Sequence, residues 1–425
     1  MLMQGNCLEL LAEMPDNSVD SIVTDPPYEL GFMGKSWDNS GIAYNVELWS
    51  QALRVLKPGG HLLAFGGSRT YHRLASAIED AGFEIRDQIM WLYGSGFPKS
   101  LNVAKSIENK ITTGSAAKNG FHKLEGKRTG DGRIGMYDTV EEQGFRKVNP
   151  DQLGGFTLDA TTPEAQQWQG WGTALKPAHE PIVVARKPLI GTVANNVLTY
   201  GTGALNIDGS RVAGELPDNR TRNGGGSSDI FTERGNETVM PSGRWPANVI
   251  HDGSEEVLAG FPDTGKSTGG RIGKKLMGDV TNVPAGEYES GDPGYGDSGS
   301  AARYFYCAKA SKSERNAGLE GFEPKRESDR PSDDKPGGDN PRNRTNESKQ
   351  NFHPTVKPIA LMRYLVKLVT PPNGTVLDPF LGSGTTAVAA ELEGLKWVGC
   401  EITKEYIPIA NARVEWAKKQ PKTLI

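Results

Sequence analysis

The sequence predicts an open α/β sheet, and three observations carry that prediction. Short apolar runs alternate with stretches of helical spacing, two of those runs end abruptly in motifs built from Pro or Gly, and the segments between them are long and polar. Val19 to Thr24 is the first strand, and it passes directly into Asp25-Pro-Pro-Tyr28. Val46 to Leu56 has helical spacing and is closed by Lys57-Pro-Gly-Gly60, after which His61 to Gly66 is a second strand. A helix from Arg69 to Ala81 ends at Gly82, and Ile85 to Tyr93 and Glu180 to Arg186 are the next two strands. Near the C-terminus Pro358 opens an amphipathic helix through Val369, which Pro371-Pro372 stops. Thr375 to Asp378 is then a strand that meets Pro379-Phe-Leu-Gly-Ser-Gly384, followed by a helix from Thr385 to Leu392. A strand from Lys396 to Glu401 and a helix from Glu405 to Lys418 complete the pattern.

Between these elements the chain changes character. At 425 residues it suits one large domain carrying a sizeable insertion, and 36% hydrophobic content with 53 glycines and 27 prolines assigns much of it to loops. Gly94 to Pro177 is polar and aperiodic, and within it Lys99 to Pro150 holds ten Lys/Arg against six acids, a local excess in a chain whose net charge is −4. A solvated surface loop explains such a stretch as well as a phosphate-binding patch does. Lys325 to Lys349, rich in charge, Pro, Gly and Asn, has the composition of a disordered segment.

Several classes are disfavoured by composition. Cys7, Cys307 and Cys400 are odd in number and far apart, which fits a reducing compartment and gives no disulfide framework. The six histidines are scattered without the spacing of a zinc site, so no metal is expected. The first residues lack a signal peptide and no apolar run is long enough to span a bilayer, so a soluble, cytoplasmic protein is expected.

Two motifs carry chemistry. The turn Phe380-Leu-Gly382-Ser383-Gly384-Thr385 lies between a strand and a helix, where glycines admit close approach of a ligand and free N–H groups face an anion. Glu401, at the end of the next strand, is placed to accept hydrogen bonds from ribose hydroxyls. That pattern suits an adenosine-containing cofactor, and the same residues also satisfy the loose dinucleotide fingerprint, so an oxidoreductase stays open at this point. Asp25-Pro26-Pro27-Tyr28 is the more specific motif. An amino group on a nucleobase is a poor nucleophile because its lone pair is delocalised into the ring. A carboxylate (Asp25) and a rigidly held carbonyl (Pro26, fixed by Pro27) each accept one of its N–H groups and leave the lone pair aimed at a methyl donor. Tyr28 offers an aromatic face for a flipped base. A C5-cytosine mechanism requires a cysteine nucleophile, expected after a proline, and none of the three cysteines follows one.

In the order Asp25-Pro-Pro-Tyr28 first and Phe380-Leu-Gly-Ser-Gly384 last, these motifs resemble those of the beta group of N6-adenine/N4-cytosine DNA amino-methyltransferases. Gly243-Arg-Trp-Pro-Ala-Asn248 and Arg303 to Lys309 look like segments of phage and prophage members. The resemblance implies a permuted Rossmann-like methyltransferase sheet of seven strands, mostly parallel with one antiparallel, S-adenosylmethionine as cofactor, and double-stranded DNA as partner. It implies a catalytic half at 1–93, a DNA-contact insertion at 94–177, the hairpin strand at 178–191, target recognition at 192–302, a partly disordered connector at 303–350 and a cofactor half at 351–425. Asp25, Pro26, Pro27 and Tyr28 become the catalytic residues. Asn6 and Cys7, in a segment that usually reads Gly-Asp, take the adenine of the cofactor, with the Asn6 amide replacing the acid. Lys357, within His353-Pro-Thr-Val-Lys-Pro358, helps form the methionine end, and Asp378, Phe380, Gly382, Ser383, Gly384, Thr385 and Glu401 complete the cofactor set. Cytosine enzymes of the family more often carry serine where Asp25 stands, which favours adenine N6 over cytosine N4. Trp168, Trp171 and Trp245 are candidates for stacking or wedging into DNA, or for ordinary packing. Relatives with this motif order often pair, which leaves a homodimer open. An oxidoreductase leaves Asp25 to Tyr28 without work, and an inactive DNA-binding module leaves Asp25, Gly382, Gly384 and Glu401 unexplained.

Overall fold

The computed structural model describes residues 1–30, 36–96, 100–114, 160–214, 243–265, 298–308, 312–324 and 350–421. Most of the basic stretch 99–150 and all of 325–349 therefore lie outside the described residues; Lys105 and Lys110 fall on a described helix. In chain order the strands are β1 (Leu2–Gln4), β2 (Val19–Thr24), β3 (Leu56–Phe65), β4 (Glu84–Leu92), β5 (His179–Arg186), β6 (Val249–His251), β7 (Asp263–Thr264), β8 (Gly299–Ser300), β9 (Tyr306–Cys307), β10 (Thr375–Asp378) and β11 (Lys396–Glu401). The helices are α1 (Cys7–Glu13), α2 (Val46–Val55), α3 (Tyr71–Asp80), α4 (Val103–Thr113), α5 (Pro163–Gln166), α6 (Val193–Tyr200), α7 (Glu255–Leu258), α8 (Lys312–Arg315), α9 (Ile359–Val369), α10 (Thr385–Leu392) and α11 (Ile407–Lys418).

Nine strands form one sheet in the order β1-β11-β10-β2-β3-β5-β4-β6-β9. Every pairing within this sheet is parallel except those of β5, which runs against β3 and β4; β7 and β8 form a separate antiparallel pair. The seven strands from β1 to β4 in that order are the expected sheet, and the short β6 and β9 extend it beyond the prediction at the β4 edge. Period-two alternation divides the core between two faces. Ile22, Leu62, Ala64, Val183, Ala185 and Leu377 pack beneath α1, α2 and α3 with Leu11, Trp49, Leu74 and Ile78. Their neighbours Val23, Leu63, Phe65, Ile182, Val184 and Val376 pack on the opposite face with α9 and α10. Strands buried on both faces read as continuous apolar runs, which is why β2 and β3 were visible in the sequence.

Boundaries moved where turns were absorbed into the sheet. Lys57 to Gly60, expected to separate a helix from a strand, lies inside β3, whose register against β2 jumps from Val19↔Leu56 to Ser21↔His61. The surplus residues bulge out, and Asn196 of α6 and Thr202 both donate to the Pro58 carbonyl. Pro358 caps α9 instead of occupying its first turn.

By backbone proximity the described residues divide into two units: 1–95, 178–324 and 350–421, which hold the large sheet, and those within 96–177, which hold α4 and α5. In the second, Glu108 on α4 accepts the hydroxyl of Thr162 at 2.8 Å and its N–H at 3.0 Å, which ties α4 to the start of α5. Trp168 and Trp171 meet edge to face and both remain exposed, which removes core packing as their explanation. None of the described helices is long and apolar enough to cross a membrane.

Candidate active site

All strands of the large sheet but β5 point the same way, so the motifs that follow β2, β10 and β11 emerge at one edge. Helix α10 leaves β10 toward one face and α2 leads from the other, which makes the β10/β2 boundary the switch point where open α/β sheets bind ligands. Asp25-Pro-Pro-Tyr28 and the glycine turn face each other there.

The motif after β2 is held by its backbone. The Tyr28 carbonyl accepts the hydroxyl of Thr70 at 2.9 Å and that of Tyr44 at 3.3 Å. Glu29 follows at φ +53°, its N–H bonded to the buried Asp38 carboxylate at 2.9 Å. Within this frame Asp25 Oδ2 accepts from Lys357 Nζ at 2.6 Å, whereas Asp25 Oδ1 is buried with no hydrogen-bond partner among the described residues. Among the described residues no backbone N–H donates to the adjacent Pro26 carbonyl. Asp25 Oδ1 is thus a buried acceptor with capacity for a donor such as an amino group.

Lys357 is the hub. Its ammonium lies 3.2 Å from Tyr28 Oη and 3.3 Å from Glu180 Oε2, and above the rings of Tyr28 and Phe65 at 5.3 and 4.8 Å. Tyr28 donates its own hydroxyl hydrogen to Glu180 Oε2 at 2.9 Å. Burial raises the Asp25 pKa, Lys357 opposes that shift and Glu180 adds to it. Burial acts to lower the Lys357 pKa, but Asp25 and Glu180 outweigh it and hold the ammonium protonated. Lys357 therefore sits on the Asp25 motif, whereas the resemblance had placed it only with the cofactor set. Glu180 and Phe65 join the site without having been singled out from the sequence.

The glycine turn is equally constrained. Gly382 has φ +54° and Gly384 φ +84°, a backbone region that side chains disfavour, and a Cβ on Gly382 would stand 2.7 Å from His353 Nε2. The Gly382 N–H donates to Glu401 Oε2 at 2.7 Å and the Thr403 N–H to Oε1 at 2.6 Å. Each Glu401 oxygen keeps a lone pair for a further donor, so this carboxylate fits the ribose role.

Other members of the expected cofactor set are engaged in holding the turn. Asp378 accepts from Thr24 at 2.6 Å, from the Phe380 N–H at 3.0 Å and from Thr386 at 2.6 Å, and burial pushes its pKa up to about 6. It braces the turn against β2 and α10. The fully buried Arg413 of α11 donates to the Ser383 carbonyl and hydroxyl at 2.8 and 3.0 Å and to Thr385 Oγ1 at 3.0 Å. Those two hydroxyls thus face the interior; a lone arginine late in a helix gave no sequence signal of this. Asn6 Oδ1 caps α1 through the Leu8 N–H at 3.0 Å and keeps a second lone pair for a further donor. The Cys7 side chain lies in the core, where burial pushes its thiol up to about 11. Phe380 packs partly buried at the edge of the same cluster.

His353 lies against the turn and edge-on to Tyr406 at 4.5 Å, and Arg315 donates to its carbonyl at 2.5 Å. Among the described residues no group of three or more His, Cys, Asp or Glu side chains is placed to hold a metal.

A glycine turn and a carboxylate–proline motif follow neighbouring strands at the switch point of an open, Rossmann-like α/β sheet. The chain belongs to the N6_N4_Mtase family, described as DNA methylase, whose model matches residues 19–412. Among curated relatives it is 44% identical over 67 residues to the type II methyltransferase M.ScaI of Streptomyces caespitosus, covering 16% of this chain and 22% of that one. It is 43% identical over 63 residues to M2.DpnII of Streptococcus pneumoniae, covering 15% and 24%. The chain thus matches about a quarter or less of the length of these relatives. Among solved structures, the cytosine-N4-specific PvuII DNA methyltransferase aligns over 97% of this chain and 85% of that one, with 13% identity and a TM-score of 0.42. The M1.HpyAVI–SAM complex aligns over 97% and 98%, with 14% identity and a TM-score of 0.35.

Proposed function

We propose that this protein transfers the methyl group of S-adenosylmethionine to the exocyclic N6 of adenine in double-stranded DNA, in the cytoplasm of a bacterial or phage-infected cell. The observation that carries the reading is Asp25 Oδ1, a buried acceptor without a partner among the described residues, on a carboxylate that Lys357 holds through its other oxygen, with the Pro26 carbonyl next to it in the chain. The donor set fits the cofactor: Glu401 has acceptor capacity for ribose hydroxyls, and Gly382 and Gly384 keep the backbone clear of side chains. S-adenosylmethionine supplies an activated methyl on a sulfonium. The chain supplies orientation: Asp25 and Pro26 take the two amino hydrogens of the flipped base, and the Tyr28 ring supports it. Asp25 favours adenine because a carboxylate occupies the position where cytosine enzymes of the family more often carry serine.

Incubation with labelled S-adenosylmethionine and mixed-sequence duplex DNA, followed by nucleoside analysis, tests this. Label in N6-methyladenine is expected. Label in N4-methylcytosine would retain the transfer chemistry and overturn the base assignment.

A further inference from the structure

Glu180 reaches the site through the topology of the sheet. It is the second residue of β5, the strand that runs against its neighbours, so the start of β5 lies at the edge where β3 and β4 end. There its carboxylate shares one ammonium with Asp25: Lys357 Nζ stands 2.6 Å from Asp25 Oδ2 and 3.3 Å from Glu180 Oε2. We propose that Glu180 is a positioning residue that enables Asp25 to take the proton released in methyl transfer, by remaining as the counter-ion of Lys357 when Asp25 is neutralised. This inference rests on the reading that the protein methylates an amino nitrogen.

As the bond between the amino nitrogen and the methyl carbon forms and the methyl–sulfur bond breaks, the nitrogen gains positive charge and sheds one proton. That proton passes to Asp25 Oδ1, the oxygen that no described residue occupies. With Asp25 as its sole partner, Lys357 would then become an uncompensated buried cation, a costly state. Glu180 removes that cost. Before transfer, Asp25, Lys357 and Glu180 together carry one negative charge, which favours the positive charge developing on the base; afterwards Lys357 and Glu180 are left as a neutral pair.

The groups facing Asp25 come from several elements. They are Tyr28 on its own loop, Lys357 before α9, Glu180 on β5 and Asp378 on β10, with Tyr93 at the end of β4 and His353 beside Lys357. Of these, Glu180 raises the proton affinity of Asp25 and Lys357 lowers it.

The test is the pH profile of single-turnover methyl transfer by the full chain carrying Glu180→Gln. Removing the Glu180 charge lowers the proton affinity of Asp25, so the acid limb is expected to move to lower pH and the plateau rate to fall several-fold. Cofactor affinity should stay near wild type. An acid limb that does not move, whatever the rate, would overturn the role assigned to Glu180. Should Glu180→Gln fail to fold, Glu180→Asp draws the carboxylate away from Lys357 and is expected to shift the limb in the same direction by less; an unmoved limb again overturns the inference. Wild-type protein that labels no DNA would instead overturn the functional reading itself.

Discussion

Lys357 Nζ and Asp25 Oδ2 lie 2.6 Å apart although they stand 332 positions apart in the chain, so one ion pair joins the segment before α9 to the motif after β2. That pair leaves a single Asp25 oxygen for the substrate. Asp25→Ala is therefore expected to reduce methyl transfer by at least about 10²- to 10³-fold, the scale seen when one preorganised polar group is removed from an active site. Calorimetric S-adenosylmethionine binding should stay close to wild type, and joint loss of binding and transfer would mean that Asp25 is structural.

Replacing Lys357 with Met leaves Asp25 and Glu180 buried beside each other without their cation. Breaking a buried pair from one side costs about 3–5 kcal/mol, and urea unfolding should show a loss of that order. Glu180→Gln introduced into Lys357→Met should restore part of the stability, because one of the two repelling charges is then gone; a double variant no more stable than the single one contradicts the shared-cation geometry.

Gly382→Val places a branched side chain at φ +54°, where even a Cβ meets His353 Nε2 at 2.7 Å. The turn must open or His353 must move. Cofactor binding should fall below detection in a protein whose circular dichroism is unchanged, and near-normal binding would remove the turn from the cofactor site.

Burial holds His353 at a pKa of about 3, with Arg315, Lys357 and Arg413 adding to the shift, so the folded protein keeps this imidazole neutral. Unfolded, it takes up a proton below about 6.5. Its contribution to stability is thus present above pH 6.5 and is lost as pH falls toward 3, at about 1.4 kcal/mol per pH unit. Stability curves of wild type and His353→Gln should differ in slope by about that amount between pH 5.5 and 4.5, and parallel curves would contradict it.

The fold was legible where short, largely apolar segments run into turn motifs or stand between turns, as in β2, β10 and β11, all three with the residue limits that the pattern gave. It was less legible where one strand absorbed a turn, because Lys57-Pro-Gly-Gly60 carries every local mark of a break and becomes a bulge only through its contacts with Asn196 and Thr202. Strands β6 and β9, at three and two residues, are too short to show a period. In the site, Asp25, Tyr28, Gly382, Gly384 and Glu401 were legible because their backbone or spacing is unusual. Glu180 was not, since a glutamate at a strand start has no local signature and its meaning comes from β5 running backwards. Ser383 and Thr385 show the converse: motif residues whose hydroxyls turn inward to Arg413.

The central claim is that Asp25 and Pro26 present an amino nitrogen of adenine to a methyl donor. Its most direct test is transfer of labelled methyl from S-adenosylmethionine to duplex DNA by wild type and Asp25→Ala side by side, with the labelled nucleoside identified by mass. Label in N6-methyladenine from wild type, at an initial rate at least about 10²-fold above that of the variant, is the predicted result; comparable rates from both proteins, or label in any nucleoside that lacks a methylated amino nitrogen, would contradict it.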